Sequence, residues 1–206
     1  MTDPAVRQVV LVSGAPGAGK TTLARPLAAK LGFALLAKDR IKETLHDWLG
    51  QEAGLAWSQR LGAASMELLW ALAADAPAVV LEANFWPDDP RVRDHVARLG
   101  GAVVEVNCVC PIEECQRRYA ARGPSRHRVH VPAELAVEAF ARFVQPIGFG
   151  RVITVDTSVP VQVGVLAQQV RGELGSAEPA GLSEGTVSVA DWGQGMPSGA
   201  KRIIKK

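Results

Sequence analysis

The stretch Gly14-Ala15-Pro16-Gly17-Ala18-Gly19-Lys20-Thr21 decides the fold. It fits G-x-x-x-x-G-K-[ST], a phosphate-binding loop. Such a loop wraps phosphate oxygens with successive backbone N–H groups, and side chains would block that approach. Gly14, Gly17 and Gly19 keep the path open. A helix starting near Lys20 aims the positive end of its dipole at the same phosphates. Lys20 adds a point charge on the β/γ oxygens, the Thr21 hydroxyl can hold magnesium, and Thr22 can donate to the α-phosphate. The expected nucleotide contacts are therefore Gly14, Ala15, Gly17, Ala18, Gly19, Lys20, Thr21 and Thr22. The expected ligands are ATP and Mg2+.

The context on both sides agrees. Val9–Ser13 is a short, β-branched strand ended by the glycine-rich turn. Lys20–Leu31 reads as a helix stopped by Gly32, with Pro26 inside it predicting a bend or irregularity. Further strands are expected at Phe33–Ala37, Ala78–Ala83, Ala102–Val109 and Arg151–Val155. Helices are expected at Arg40–Leu49 (capped by Asp39), Ser58–Ala74, Pro90–Leu99, Ile112–Arg122, Pro132–Val144 and Val161–Leu174. The stripe of the second of these is Leu61, Ser65, Leu68, Leu69 and Leu72. Strands that alternate with helices and read as continuous apolar runs indicate a parallel sheet buried on both faces. The fold class is a three-layer α/β P-loop NTPase fold with a five-stranded parallel sheet, order 2-3-1-4-5. Ligands in such sheets bind at the carboxyl ends of the strands.

The bulk numbers fit one domain. The chain has 206 residues, 48% of them hydrophobic and 21% charged. A net charge of +2 is too small to call for a nucleic-acid or membrane partner. Cys108, Cys110 and Cys115 show no CxxC pair and read as free thiols of a reducing cytosol. No apolar run approaches a membrane span, and the N-terminus does not read as a signal peptide. The expected location is cytoplasmic. Residues 1–175 form the expected domain. Residues 176–206, rich in Gly, Ser, Pro and Ala with a basic end, read as a mobile tail.

Val10–Leu31 followed by Lys38-Asp39-Arg40-Ile41-Lys42 resembles the P-loop small-molecule kinases. That group includes chloramphenicol phosphotransferase, zeta-toxin-like kinases, gluconate kinase and the kinase domain of phage polynucleotide kinases. The resemblance covers residues 8–175. It implies that Asp39, just after the second strand, is the general base. A carboxylate there can orient a hydroxyl that attacks the γ-phosphate; it can equally be a helix N-cap. The polynucleotide kinases carry an Arg three residues further on to hold a substrate phosphate, and here that residue is Lys42, which keeps the charge but not the fork. Arg40 is a second candidate for substrate contact. Glu82, after three apolar strand residues, suits a magnesium-held water, the substrate or a structural ion pair. Asn84 and Trp86 are expected beside it.

The resemblance also implies a lid over ATP at residues 117–131, with an Arg-x-x-x-Arg pair on the transferring phosphoryl group. Arg118 with Arg122 and Arg122 with Arg126 both fit the spacing. His127 and His130 read as lid surface rather than metal ligands, since no third ligand lies near in sequence. Asp156-Thr157-Ser158 is expected near the adenine or as a helix cap. The acceptor helices carry His46, Trp48, Trp57 and Trp70, which suggest a partly apolar or stacking acceptor or simple core packing. The expected activity is transfer of the γ-phosphate to a small-molecule hydroxyl. A polynucleotide 5′-hydroxyl kinase and an ATPase or switch acting on a protein are the alternatives.

Overall fold

The computed structural model describes residues 6–50, 54–87, 89–131 and 135–176, without the side chain of Pro124. The expected tail lies outside the described residues beyond Ser176. The chain runs β1 (Gln8–Gly14), α1 (Lys20–Leu31), β2 (Ala34–Ala37), α2 (Lys38–Leu49), α3 (Leu55–Asp75) and β3 (Ala78–Glu82). It continues through α4 (Pro90–Leu99), β4 (Ala102–Val109), α5 (Ile112–Ala121), α6 (Val137–Ala141), β5 (Arg151–Asp156) and α7 (Val163–Ser176). All strand pairs are parallel and the order is β2-β3-β1-β4-β5, as expected.

Strand side chains alternate between two apolar layers. Val10, Val12, Val80, Val104 and Val106 face a cluster with Leu23 and Leu27 of α1 and Leu166 and Val170 of α7. Val9, Leu11, Val79 and Leu81 face Leu69 and Trp70 of α3 and Val92 and Val96 of α4. Full burial of such a side chain contributes about 1.5–3 kcal/mol, so the central strands are fixed from both sides.

Several expectations are corrected. β2 is the edge strand that the expected order makes it, but its apolar residues are exposed or half-buried rather than covered on both faces. The α3 stripe is Ser58, Leu61, Ser65, Leu69, Trp70 and Ala73; Leu68 and Leu72 are exposed. The helix expected over residues 132–144 is reduced to α6, with 132–134 outside the described residues. α1 runs uninterrupted through Pro26, although the proline supplies no backbone donor there.

Asp39 does not cap α2. The helix begins two residues earlier than expected, with Ala37 as N-cap and no side-chain cap. Asp39 is a first-turn residue instead, which favours a carboxylate by the helix dipole.

Glu105 has no counterpart in the sequence reading. It sits in β4, fully buried. Its Oε1 accepts from the Ser13 hydroxyl at 2.5 Å and from Ile147 N–H at 2.9 Å, and its Oε2 accepts from Gly148 N–H at 2.9 Å. It therefore ties the residue before the P-loop to the turn before β5. Glu105→Ala leaves two amides without their partner, while the Ser13 hydroxyl keeps only its longer bond to Asn107 Oδ1 at 3.2 Å. The expected loss is about 3–5 kcal/mol, read as a lowered urea midpoint. An unchanged midpoint would mean that the turn relaxes onto water.

Candidate active site

Sheet register brings the motifs together. Val12 of β1 pairs with Glu82 of β3, and Glu82 pairs with Ala37 of β2. The P-loop leaves the sheet two residues beyond Val12, and Asp39 stands two residues beyond Ala37. Three strand ends thus open onto one place.

The loop itself is built on its glycines. Gly17 has φ 82°, and a Cβ there would run into the Cys115 carbonyl oxygen. Gly19 is the N-cap of α1 at φ 81°. At Gly17 a side chain is therefore excluded by packing, and at both positions the positive φ favours glycine. Ala15 and Ala18 are buried, and Ala18 N–H closes a turn onto the Ala15 carbonyl at 3.0 Å. Lys20 is buried, and its Nζ donates to the Gly14 and Ala15 carbonyls at 2.9 and 2.8 Å. Burial pulls its pKa below the usual lysine value, while the charges of Glu82, Cys108 and Asp39 act the other way.

A cavity of about 690 Å³ extends from this loop over the first turn of α2. Its walls include Lys20, Thr21, Asp39, Glu82, Arg122 and Arg126. All five expected substrate contacts, Asp39, Arg40, Lys42, Glu82 and Asn84, line it. Burial raises the Glu82 pKa; Lys20 and a hydrogen bond with the Thr21 hydroxyl oppose that. Thr21 and Glu82 together offer two hard oxygen donors beside the loop, a set that suits Mg2+. At Asp39, burial pushes the pKa up. Lys38, His130 and Lys20 outweigh it and hold the carboxyl below its usual value. Lys38 Nζ donates to Asp39 Oδ1 at 3.1 Å.

Lys42 is buried and its Nζ donates to Ser58 Oγ of α3 at 2.7 Å. Burial, then Lys38, bring its pKa down to about 8. It therefore braces two helices while lining the cavity. The lid segment borders the same space. Arg126 lies 4.3 Å from the Tyr119 ring centroid, a cation–π contact that holds its guanidinium near the cavity. Tyr119 and Glu43 are wall residues that sequence spacing did not single out, and Lys38 and His130, named there without a substrate role, stand on the same wall. Among the described residues, no tryptophan lines it. Trp48 is exposed, Trp70 packs in the core against Phe85, and Trp86 lies under Arg142.

A second cavity of about 590 Å³ lies on the other side of the loop, lined by Gly19, Thr22, Arg118, Arg122 and the 157–161 turn. Thr157 Oγ1 donates to Ala18 O at 2.8 Å and to Val109 O at 3.0 Å. The turn is thus bonded to the P-loop rather than capping α7, which begins only at Val163. Arg118 faces this cavity, donating to Glu114 at 2.6 Å and to Thr157 O at 3.0 Å. Arg122 alone of the lid arginines borders both cavities.

A family model described as an AAA domain matches residues 9–147. Among solved structures, the chain is similar to a protein of Chloroflexus aurantiacus provisionally named a kinase. Identity there is 28% and the TM-score 0.71, over 82% of this chain and 99% of that one. It is similar to the shikimate kinase of Acinetobacter baumannii at 18% identity and TM-score 0.52, over 82% and 92% of the two chains. It is also similar to the APS kinase of Mycobacterium tuberculosis at 22% identity and TM-score 0.51, over 84% and 100%. The last two likenesses are of fold. No curated protein matches the chain. Among the described residues, no helix is long and apolar enough to cross a membrane.

Proposed function

The chain belongs to the AAA domain family whose model covers residues 9–147, and on that premise we propose that it transfers the γ-phosphate of ATP to a hydroxyl of a small molecule. The observation that carries this reading is the shared cavity: Lys20, Thr21, Asp39 and Glu82 border one space that continues past the P-loop over α2. Hydrolysis needs no such room.

Each residue then has a task. The backbone of Gly14–Gly19 and the start of α1 hold the phosphates. Lys20 exchanges its bonds to loop carbonyls for β/γ oxygens. Thr21 and Glu82 would hold Mg2+, directly or through its waters; that ion supplies charge neutralisation between the β- and γ-phosphates. Asp39 accepts a hydrogen bond from the acceptor hydroxyl. As the hydroxyl oxygen bonds to the γ-phosphorus, the bond from that phosphorus to the bridging oxygen breaks. ADP leaves and the proton passes to Asp39. A carboxyl held below its usual pKa is a weak base. That suits a loose transition state in which the hydroxyl keeps its proton until late.

Arg122 and Arg126 serve the transferring group, and Arg118, with the Thr157 turn, serves the nucleoside. Arg122→Ala should lower kcat more than it raises the KM for ATP, and Arg118→Ala should do the reverse. Equal kinetic patterns for the two variants would reject this division. The whole reading is tested by a screen of ATP consumption against hydroxyl compounds and 5′-hydroxyl oligonucleotides. Stimulation by a small hydroxyl compound supports it. Stimulation by oligonucleotides alone would favour the polynucleotide alternative, and turnover indifferent to any acceptor would favour an ATPase.

A further inference from the structure

The two lid histidines stand alone in sequence, yet the fold supplies His127 with neighbours from α2. His46 and Asp47 lie on that helix, about 80 residues away in the chain. His127 Nε2 is 3.1 Å from Asp47 Oδ1. His46 Nδ1 is 3.7 Å from the same oxygen. One ligand atom from each of the three residues lies within 4.8 Å of the others. The two imidazole planes are nearly perpendicular, at 83° with centroids 5.2 Å apart, so their in-plane lone pairs approach from different directions.

A second observation concerns His46 alone. It is buried, 3% exposed, and its Nδ1 has no hydrogen-bond partner among the described residues. A buried polar atom left unpaired is costly and calls for an explanation. The hydrogen bond between His127 and Asp47 accounts for that pair but leaves His46 Nδ1 without a role.

We propose that His46, Asp47 and His127 form a site for a divalent transition ion of the zinc class. Donors held about 2.0–2.1 Å from a tetrahedral ion sit about 3.3–3.4 Å from one another. The two distances to Asp47 Oδ1 fall on either side of that spacing. Two imidazoles and a carboxylate are the donor set that such ions take, whereas Mg2+ and Ca2+ prefer oxygen alone. Three protein ligands leave a fourth position for water. The Val129 N–H donates to His127 Nδ1 at 3.2 Å. A metal on Nε2 puts the ring proton on Nδ1, so this long bond opens as the ion binds. The ion would staple the lid segment to the helix whose first turn carries Asp39. This inference does not rest on the proposed kinase reaction, since it needs only the geometry of α2 and the lid.

The test is a titration of the full chain with Co2+, then Zn2+ in competition, in excess Mg2+ so that the oxygen donors at Thr21 and Glu82 are masked. The expected result is one equivalent of Co2+ with the intense visible absorption of a tetrahedral nitrogen and oxygen site, displaced by Zn2+. His46→Ala and His127→Ala should each weaken binding by at least about tenfold. His127 is half-exposed, so its variant decides the matter if the His46 variant does not fold. The Val129 amide resonance should shift on Zn2+ addition in the parent chain and not in His127→Ala. A cobalt–thiolate charge-transfer band would assign the ion to the cysteines and overturn the proposal. Undiminished binding in His127→Ala, or no binding at all, would overturn it too.

Discussion

Asp39→Asn is expected to lower the rate of phosphoryl transfer by about 10²–10⁴-fold while ATP affinity stays within a few-fold. Asparagine keeps the size and the first-turn position, so α2 and the Lys42–Ser58 brace need not move. It loses the negative charge and the capacity to take the acceptor's proton. The carboxyl of Asp39 is held in its ionised form by Lys38, His130 and Lys20 against the opposing effect of burial. The proposed base would thus be available across the neutral range, and its loss would not be recovered by raising the pH. ATP binding should be largely spared because phosphate contacts come from the P-loop backbone and Lys20. Isothermal titration with ATP and a discontinuous transfer assay read the two halves separately. Transfer that survives would require another base, and Glu82 is the next carboxyl on the cavity wall.

Lys20→Ala is expected to damage both binding and turnover: ATP affinity down by tenfold or more, and kcat down by about 10²–10³-fold. The ammonium is buried, and burial is the largest influence on it, lowering its pKa. It already makes two hydrogen bonds to loop carbonyls. Phosphate oxygens in the loop would replace those two partial charges with full ones, which is why the gain on binding is large. The variant also removes the charge that opposes the raised pKa of Glu82, so Glu82 becomes easier to protonate and a poorer partner for Mg2+. The melting temperature of the ligand-free variant should stay near that of the parent, because the lost cation was a desolvated one. A large drop would assign Lys20 a structural role instead.

The contrast between these two variants follows from position. Asp39 stands past an edge strand, on the proposed acceptor side, and Lys20 opens the helix that follows the central strand β1. The first loss should therefore be kinetic and the second both kinetic and thermodynamic.

Much of this arrangement was legible in the chain because local signals and burial agreed. β4 and α4 begin and end where their apolar pattern and the flanking Pro and Gly put them. The parallel sheet followed from the alternation of strands with helices, and its strand order from the P-loop fold that the motif implies. The substrate-side residues followed from their places just after strands. What failed did so for physical reasons. Asp39 reads as a cap because Asp favours that position, but Lys38 already begins the helix, straight after the strand ends at Ala37. Leu68 and Leu72 have the right spacing, yet a 21-residue helix packs only one narrow stripe against the sheet. Phe33–Ala37 is as apolar as a central strand although it lies at the edge, since apolarity does not report how many neighbours a strand has.

The long-range pairs were illegible. A glutamate within Val103-Val104-Glu105-Val106 is a visible anomaly, but nothing in sequence connects it to Ile147 and Gly148. Likewise His127 gives no sign of His46 and Asp47, because only the packing of its segment against α2 joins them. Arg118, Arg122 and Arg126 share one spacing and could not be told apart until the two cavities separated them.

The central claim is that the site donates phosphate to an acceptor rather than to water. The most direct measurement follows ATP labelled on its γ-phosphate through a turnover with the acceptor found by screening, counting ADP, inorganic phosphate and phosphate ester. One ester per ADP, with inorganic phosphate at background and both products lost in Asp39→Asn, is the predicted result. Inorganic phosphate equal to ADP at every acceptor concentration would contradict it.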